Sequence, residues 1–428
     1  MLPLIALVLT LAVGASASPA SSRSVNTGFP YGSQKIRGVN LGGWLVIEPW
    51  ITPSLFDNTG NNGIVDEWTF AAYQDRNKAQ AALQQHWDTF YTEADFAQIA
   101  AAGLNHVRIP VPHYGWQLAP GEPYIQGQAP YLDKAIGWAR NHGLKVLVEL
   151  HTAPGSQNGY DNSGHRGDAR WHTDANNLAI TKQVLGQLSL KYSDPSYWQV
   201  VTAIGILNEP AGYLSPSLLS TTRQFYYDAY GATRYPWAPQ GSGAKSGLAI
   251  IISDAFQPLS YWNGAYQEPN FESMLLDHHY YQSFTPSMLQ WSFQDKLKGV
   301  CQEASSLASS PLWAVVGEWS PAATDCAKYL NGRGIGSRYD GSYPGSSYIG
   351  SCQGLTGKAN TLRGDFKEFM HQFWDIQTQG FENYGQGWIM WTWKAESADE
   401  WSYAGGLAGG WIPQDPTQHK YSYSSVCN

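Results

Sequence analysis

The 428-residue sequence predicts a single (β/α)8 barrel, a fold of the α/β class, with long loops at one rim. Eight short segments rich in apolar and β-branched residues end in polar residues, which is typical of buried parallel strands. Helical patterns lie between several of them, and alternating strands and helices indicate βαβ units. No G-x-G-x-x-G motif follows the first segment, which argues against an open dinucleotide-binding sheet. The eight strands therefore favour a closed TIM barrel.

The predicted strands follow one another along most of the chain. They cover residues 36–43, 106–111, 145–151, 201–209, 248–256, 274–282, 312–319 and 387–394. Two of the intervening helices have clear ends. The first begins at a capping box from Thr92 to Asp95 and stops at Gly103, directly before the second strand. The second stops at Gly143, directly before the third strand.

Two insertions interrupt this alternation. Residues 44–91 separate the first strand from its helix, whereas a βα loop usually has about 2–6 residues. Residues 320–362, rich in Gly, Ser and Tyr, follow the seventh strand. Both insertions leave the C-terminal ends of strands, which is where barrels carry their functional sites. No repeat or linker divides the chain, so residues 18–428 are predicted to form one domain.

Composition excludes several classes of function. Hydrophobic residues make up 43 % of the chain and charged residues 14 %, which is typical of a globular protein. The net charge of −8 gives no support for nucleic-acid binding. The chain has 19 Trp and 26 Tyr residues, an excess that suits stacking against the apolar faces of sugar rings.

The N-terminus and the cysteines predict export. An apolar run from Leu2 to Val13 is too short to span a bilayer and precedes an A-x-A pattern, so residues 1–17 are interpreted as a signal peptide, although a basic start is missing. No later segment is long and apolar enough to cross a membrane. In a secreted chain the four cysteines predict two disulfides, with three pairings open. They are Cys301, Cys326, Cys352 and Cys427.

Two glutamates end strands on roughly opposite sides of the predicted barrel. Glu209 follows the apolar fourth strand and Glu318 ends the seventh, so their carboxyl groups are expected to face each other across the barrel mouth. Glycoside hydrolysis needs such a pair, because one carboxyl protonates the leaving oxygen while the other attacks the anomeric carbon. A separation of about 5–5.5 Å predicts retention of configuration, and one of about 6.5–9.5 Å predicts inversion.

Other polar residues cluster at the same strand ends. They are Arg108, His151, Asn208 and the run DHHYY at residues 277–281. Arg108 and Tyr281 are expected to keep Glu318 ionised, which makes Glu318 the nucleophile candidate. His278 and His279 are adjacent and must face opposite sides of a strand. No regular metal-ligand spacing and no G-x-S-x-G elbow are present, so neither a metal site nor a serine hydrolase is predicted.

Seven blocks in order give the chain a family resemblance. They are GVNLGGWLVIEPWITPSLF, LNHVRIPV, ELHTAPGSQNGYDNSGHRG, ILNEP, DHHYYQSF, VVGEWSPAATDC and GWIMWTWKAESADEWSY. Together they closely resemble the fungal exo-β-1,3-glucanases of glycoside hydrolase family 5, from about residue 30 to the C-terminus. The resemblance implies a retaining reaction in which Glu209 is the acid/base and Glu318 the nucleophile.

The resemblance also implies which residues bind sugar. The innermost glucosyl unit is expected to contact Glu48, Arg108, His151, Asn208, His279, Tyr281 and Trp391. The entrance is expected to carry the aromatic residues Tyr160 and Phe284, with Asp161, Asn162 and Arg338 nearby. His279 and Tyr281 are preferred because YQSF then falls in step with the family pattern, and His278 with Tyr280 stays open. The implied disulfides are Cys301–Cys427 and Cys326–Cys352.

The implied activity is that of a secreted glucan 1,3-β-glucosidase, extracellular or in the cell wall, which removes glucose from the non-reducing ends of β-1,3-glucans. It is expected to act as a monomer on β-glucan, without cofactor, nucleic acid or membrane. The alternatives are β-1,6 or endo specificity or transglycosylation within the same clan, and a non-catalytic carbohydrate-binding wall protein. The 44–91 insertion is predicted to wall off one side of the site. Paired carboxyl groups predict a bell-shaped pH profile with an acidic optimum.

Overall fold

The computed structural model of the chain describes residues 28–238 and 243–427. The predicted signal peptide, residues 1–17, lies outside the described residues. Within the described part of the chain, no helix is long and apolar enough to cross a membrane.

Eight parallel strands close into a barrel in chain order, and β8 pairs with β1. They are β1 Ile36–Asn40, β2 His106–Val111, β3 Lys145–Leu150, β4 Val201–Gly205, β5 Ala249–Ser253, β6 Met274–Tyr280, β7 Trp313–Trp319 and β8 Gly387–Met390. The predicted fold and all eight predicted strands are confirmed. The regular part of β4 ends at Gly205, but Ile206 N–H still donates to Ile251 O of β5 and Asn208 N–H to Leu150 O of β3, each over 2.9 Å. Glu209 follows in a left-handed conformation with φ 44°.

Helices cover the outside of the barrel and fill the insertions. They are α1 Pro53–Asp57, α2 Glu67–Ala72, α3 Arg76–Thr89, α4 Glu93–Ala101, α5 Ala129–Asn141, α6 Ala175–Tyr192, α7 Pro216–Arg234, α8 Pro286–Leu289, α9 Phe293–Ser306, α10 Gly364–Tyr384, α11 Tyr403–Gly409 and α12 Ser424–Cys427. The capping box predicted at α4 is present, and the backbone N–H of Thr92 donates to Asp95 Oδ2 over 2.8 Å. Gly103 follows with φ 74°, a conformation that glycine adopts without a Cβ penalty.

The interior of the barrel has an apolar floor and a polar layer above it. Alternate strand residues, among them Leu147, Ile251 and Val315, form a buried cluster separate from the large core between the sheet and the helices. Closer to the C-terminal ends of the strands, Arg108 and Asp277 are buried side chains of β2 and β6. In barrels of this kind the functional groups lie at the C-terminal ends of the strands, which is also where the two long insertions lie.

The two long insertions pack against each other at that end. Arg333, in the segment after β7, donates to the backbone carbonyls of Asn61 and Ile64 over 2.8 and 2.6 Å. Lys328 pairs with Asp57 of α1 over 2.6 Å. The segment that carries Glu48 is therefore braced by the loop that follows the seventh strand.

Two disulfides join the cysteines in the pairs that the resemblance implied. Cys301–Cys427 ties α9 to α12 across a sequence separation of 126. Cys326–Cys352 closes a separation of 26 residues inside the loop after β7. No free cysteine is present among the described residues.

Replacing both Cys301 and Cys427 by alanine is expected to lower the free energy of unfolding by about 2–4 kcal/mol, because a long loop is released in the unfolded chain. Denaturant unfolding of the mature protein measures this change. The matched control replaces Cys326 and Cys352, which close a much shorter loop, and should cost less. Equal stability of the first variant and the unmodified protein would contradict the expectation.

Candidate active site

Glu209 and Glu318 meet at the C-terminal end of the barrel, together with His279. Each of these three residues places one polar atom within 4.8 Å of the others. Both carboxyl groups are buried, and Glu318 lies on β7 directly before its last residue. The strands bring the pair together because parallel strands in a barrel present their C-terminal ends to one mouth.

Glu318 is held by a positive charge and a hydroxyl group. Arg108 Nη1 lies 2.8 Å from Glu318 Oε1, and the Tyr281 hydroxyl donates to Oε2 over 3.0 Å. Arg108 is itself fixed, because it also donates to Asn40 and Asn208, each over 2.8 Å. Burial raises the pKa of Glu318 above its usual value, and the charges of His279 and Arg108 limit that rise.

Glu209 has different partners. His279 Nδ1 lies 2.8 Å from Glu209 Oε1, and the Asn162 amide donates to Oε2 over 3.2 Å. Burial opposes ionisation, but the hydrogen bond and the charge of His279 outweigh it, so the pKa of Glu209 lies below its usual value. The contact with His279 therefore favours the ionised form of Glu209 in the free site.

Three side chains aim unused polar atoms at this site. Within residues 28–238 and 243–427, Glu48 Oε1, His151 Nε2 and Asn208 Nδ2 are buried and have no hydrogen-bond partner. Burial and the charge of Asp161 raise the pKa of Glu48 well above its usual value. Trp391 lies parallel to the His151 ring at a centroid distance of 5.7 Å. Buried polar atoms are normally paired, so these atoms are available to the hydroxyl groups of a ligand.

The register of the two adjacent histidines is settled by their contacts. His279 points into the barrel, whereas His278 points outward and pairs with Asp254 over 2.6 Å and with Glu303 over 2.9 Å. Tyr281 reaches Glu318, while Tyr280 packs in the outer core. The preferred register, His279 with Tyr281, is the one present in the structure.

The aromatic residues predicted at the entrance lie at the rim. Tyr160 is 42 % exposed, and its hydroxyl contacts the hydroxyl of Tyr213. Phe284 packs against Tyr281 with ring centroids 5.5 Å apart, and against Trp401 at 6.1 Å. Phe284 is thus linked through Tyr281 to Glu318, and the Tyr160 ring is open to solvent.

Three polar residues predicted at the entrance differ in their surroundings. Asn162 reaches Glu209, as described above. Asp161 is half-buried, and burial together with the charge of Asp66 raises its pKa to about 7. Arg338 contacts Asp325 over 3.4 Å within its own loop and lies 3.9 Å from the centre of the Tyr343 ring. Arg338 therefore has its hydrogen-bond partners, Asp325 and Asn331, within its own loop and not at the carboxyl pair.

Sequence reasoning gave no role to two buried acids below the site, although Asp277 opens the run DHHYY. Glu149 contacts His151 Nδ1 over 2.9 Å and Arg108 over 3.3 Å. Asp277 contacts His279 Nε2 over 3.4 Å and Arg108 over 3.7 Å. Each acid precedes its histidine by two residues in sequence. Residues two apart in an extended segment face the same side, so the sequence could have predicted both contacts.

Comparisons with known proteins agree with this geometry. A family model described as cellulase (glycosyl hydrolase family 5) matches residues 71–237. A probable glucan 1,3-beta-glucosidase A of Aspergillus niger is 42 % identical over 418 residues, covering 96 % of each chain. A glucan 1,3-beta-glucosidase of Blumeria graminis is 42 % identical over 391 residues, covering 90 % of this chain and 88 % of that one.

Solved structures share the fold at lower identity. A rutinosidase from Aspergillus niger superposes with a TM-score of 0.67 at 17 % identity, covering 89 % of this chain and 98 % of that one. The endoglucanase Cel5A from Thermotoga maritima gives a TM-score of 0.51 at 14 % identity, covering 87 % and 96 %. With 42 % of its residues identical to a curated relative over nearly its whole length, the chain belongs to glycosyl hydrolase family 5 and is a glycosidase of that family.

Proposed function

We propose that this glycosidase is a secreted, retaining exo-β-1,3-glucosidase that releases glucose from the non-reducing ends of β-1,3-glucans. The names of the relatives at about 40 % identity support the substrate. The observation that carries the mechanism is the distance between the carboxyl groups. One oxygen of Glu209 and one of Glu318 lie no more than 4.8 Å apart, a short separation that favours the retaining arrangement (about 5–5.5 Å) over the inverting one (about 6.5–9.5 Å).

In the first step, the Glu318 carboxylate attacks the anomeric carbon while the glycosidic bond breaks. Glu209 gives its proton to the leaving oxygen, and a covalent glucosyl ester of Glu318 results. In the second step, a water molecule attacks the same carbon, Glu209 takes its proton, and the ester bond breaks. Two displacements at one carbon restore the starting configuration, so β-glucose is released.

The unused polar atoms supply the recognition of the glucosyl unit. Glu48, His151 and Asn208 converge on the space beside the carboxyl pair and bind sugar hydroxyl groups there. Trp391 is buried beside His151 and offers an apolar face to the ring. Tyr160 and Phe284 stack against the next sugar at the rim, with Asp161 and Arg338 nearby.

The braced insertion supports exo action. Glu48 accepts from Trp50 Nε1 over 3.0 Å, and Trp50 packs against Trp401 at a centroid distance of 5.3 Å. The contacts of Arg333 hold the following residues in place. A wall of this kind closes the inner end of the site, so a chain enters with its terminal residue only.

Secretion as a monomer completes the proposal. Two disulfides favour an oxidising compartment, and the relatives are fungal glucan-acting enzymes, so the enzyme works outside the cell or in the cell wall. Residues 18–428 form the one catalytic domain after removal of the signal peptide. The acidic balance of the chain favours a neutral polysaccharide partner over nucleic acid or a membrane surface.

Time-resolved NMR of the mature protein acting on a β-1,3-linked glucan tests this proposal, because it reads product size and anomeric form together. We expect β-glucose as the sole early product, followed by slow mutarotation. A ladder of oligosaccharides would show an endo enzyme, and larger products a transglycosylase. Early α-glucose would contradict retention. A β-1,6-linked glucan is the matched substrate control. Turnover of that glucan alone would assign the enzyme β-1,6 specificity in place of β-1,3.

A further inference from the structure

His279 faces a carboxyl group with each of its ring nitrogens. Nδ1 lies 2.8 Å from Glu209 Oε1 and 3.5 Å from Glu318 Oε2. Nε2 lies 3.4 Å from Asp277 Oδ2. A neutral imidazole donates from one nitrogen only, so both contacts are satisfied together by the doubly protonated ring. The proton that glycosidic cleavage needs is thus next to Glu209 before the reaction starts.

Asp277 is fixed by the backbone that leads to Glu318. Its Oδ1 accepts from the N–H of Gly317 over 2.8 Å, and its side chain is buried. The pairing of β6 with β7 shifts between His278 and His279, which sets His279 opposite Glu318. This anchoring leaves Asp277 Oδ2 directed towards His279.

Around His279 and Asp277 there are more carboxyl groups than permanent cations, so a positive charge on His279 would be stabilised. Arg108 is surrounded by three carboxyl groups, with Glu318 at 2.8 Å, Glu149 at 3.3 Å and Asp277 at 3.7 Å. Burial by itself would lower the pKa of His279, but the charges of Glu318 and Asp277 raise it well above its usual value. Arg108 and His151 are the basic side chains that face this group from the neighbouring elements, and each also contacts a carboxyl group.

We propose that Asp277 is a positioning residue that keeps His279 protonated and aimed at Glu209, and that His279 passes this proton to Glu209 when a sugar fills the pocket. The inference rests on the proposed function, in which Glu209 is the acid. The transfer breaks the Nδ1–H bond and forms an O–H bond on Glu209, so an ion pair becomes two neutral groups. Cleavage then moves the proton to the leaving oxygen.

Displacement of water by the sugar favours movement of the proton from His279 to Glu209. A buried ion pair loses solvation when a ligand displaces water, and the neutral form of the pair gains by comparison. The sugar therefore produces a protonated acid at the moment when the acid is needed. The two groups titrate as a pair, and the pair loses its one shared proton as the pH rises.

Nitrogen-15 NMR of histidine-labelled enzyme tests the resting state directly, with His279 assigned from its absence in a His279→Asn spectrum. We expect both ring nitrogens of His279 to be protonated in the free enzyme at about pH 7. In Asp277→Asn, the pKa of His279 should fall by about one unit or more, because an anion next to the ring is removed. A neutral His279 in the unmodified enzyme would overturn the inference.

The pH profile supplies the functional test. Asp277→Asn should move the alkaline limb of kcat/KM to lower pH by about one unit, since the shared proton is lost earlier. Asp254→Asn is the matched control, because Asp254 contacts the neighbouring His278 over 2.6 Å, and it should leave that limb in place. An unchanged limb and an unchanged His279 titration in Asp277→Asn would overturn this inference alone. Full activity of Glu209→Gln on glucan would instead contradict the proposed function, in which Glu209 is the acid.

Discussion

Replacing Glu318 by alanine is expected to lower kcat/KM on a β-1,3-linked oligosaccharide by a factor on the order of 10⁴ or more. The variant lacks the proposed nucleophile, while Arg108 and Tyr281 still surround the empty position. Initial rates on laminari-oligosaccharides measure the loss.

Azide identifies the role of the missing group. In Glu318→Ala, azide can enter the vacated space and attack the anomeric carbon from that side, while Glu209 still protonates the leaving oxygen. A β-linked substrate should then give α-glucosyl azide, which NMR distinguishes from the β form. The matched control is Glu400→Gln, because Glu400 is a buried glutamate that accepts from Thr356 and has no part in the proposed mechanism, and its rate should stay close to that of the unmodified enzyme. Formation of β-glucosyl azide would assign Glu318 a different role.

Replacing Glu209 by glutamine is expected to have an effect that depends on the leaving group. The amide keeps the shape of the side chain but cannot donate the catalytic proton, so turnover of β-1,3-glucan should fall by about 10²–10⁴-fold. A dinitrophenyl β-glucoside leaves without protonation, so its first step should be nearly unaffected. The second step still lacks its base, and a burst of dinitrophenol followed by a slow phase is expected.

The burst separates Glu209 from residues that only bind sugar. A binding residue lowers the rate of both substrates together, because both contain the same glucosyl unit. Asn208→Ala is a suitable comparison, since Asn208 is adjacent in sequence, accepts from Arg108 and has its amide nitrogen free. If Glu209→Gln lowered the rate on glucan and the rate on dinitrophenyl glucoside by the same factor, the acid/base role of Glu209 would be contradicted.

Several features of this protein followed from local sequence. Apolar strands of four to seven residues, helix ends at Gly103 and Gly143, and the capping box at Thr92 are decided by side chains close to each other along the chain. The placement of Glu209 and Glu318 at one mouth also followed, because every parallel strand of a closed barrel ends on the same side. The number and order of strands therefore predicted the location of the site.

The end of β4 shows where such reasoning stops. An apolar run to Leu207 predicted a strand as far as Glu209. Ile206 N–H and Asn208 N–H still donate to Ile251 O and Leu150 O of the neighbouring strands, each over 2.9 Å, so the pairing continues past Gly205. The apolar run gave no sign of the left-handed conformation of Glu209, φ 44°, which ends the extended segment.

The sequence by itself determined the barrel, the two glutamates at its mouth and the two candidate registers of the histidine pair. The tertiary structure decided the separation of the carboxyl groups, the choice of His279 over His278 and the burial of Asp277 and Glu149 beneath the site. The physical reason is that alternation along a strand fixes which face a side chain takes, while distances across the barrel depend on strand tilt and register. The register shift between β6 and β7, which sets His279 opposite Glu318, has no signal in local sequence.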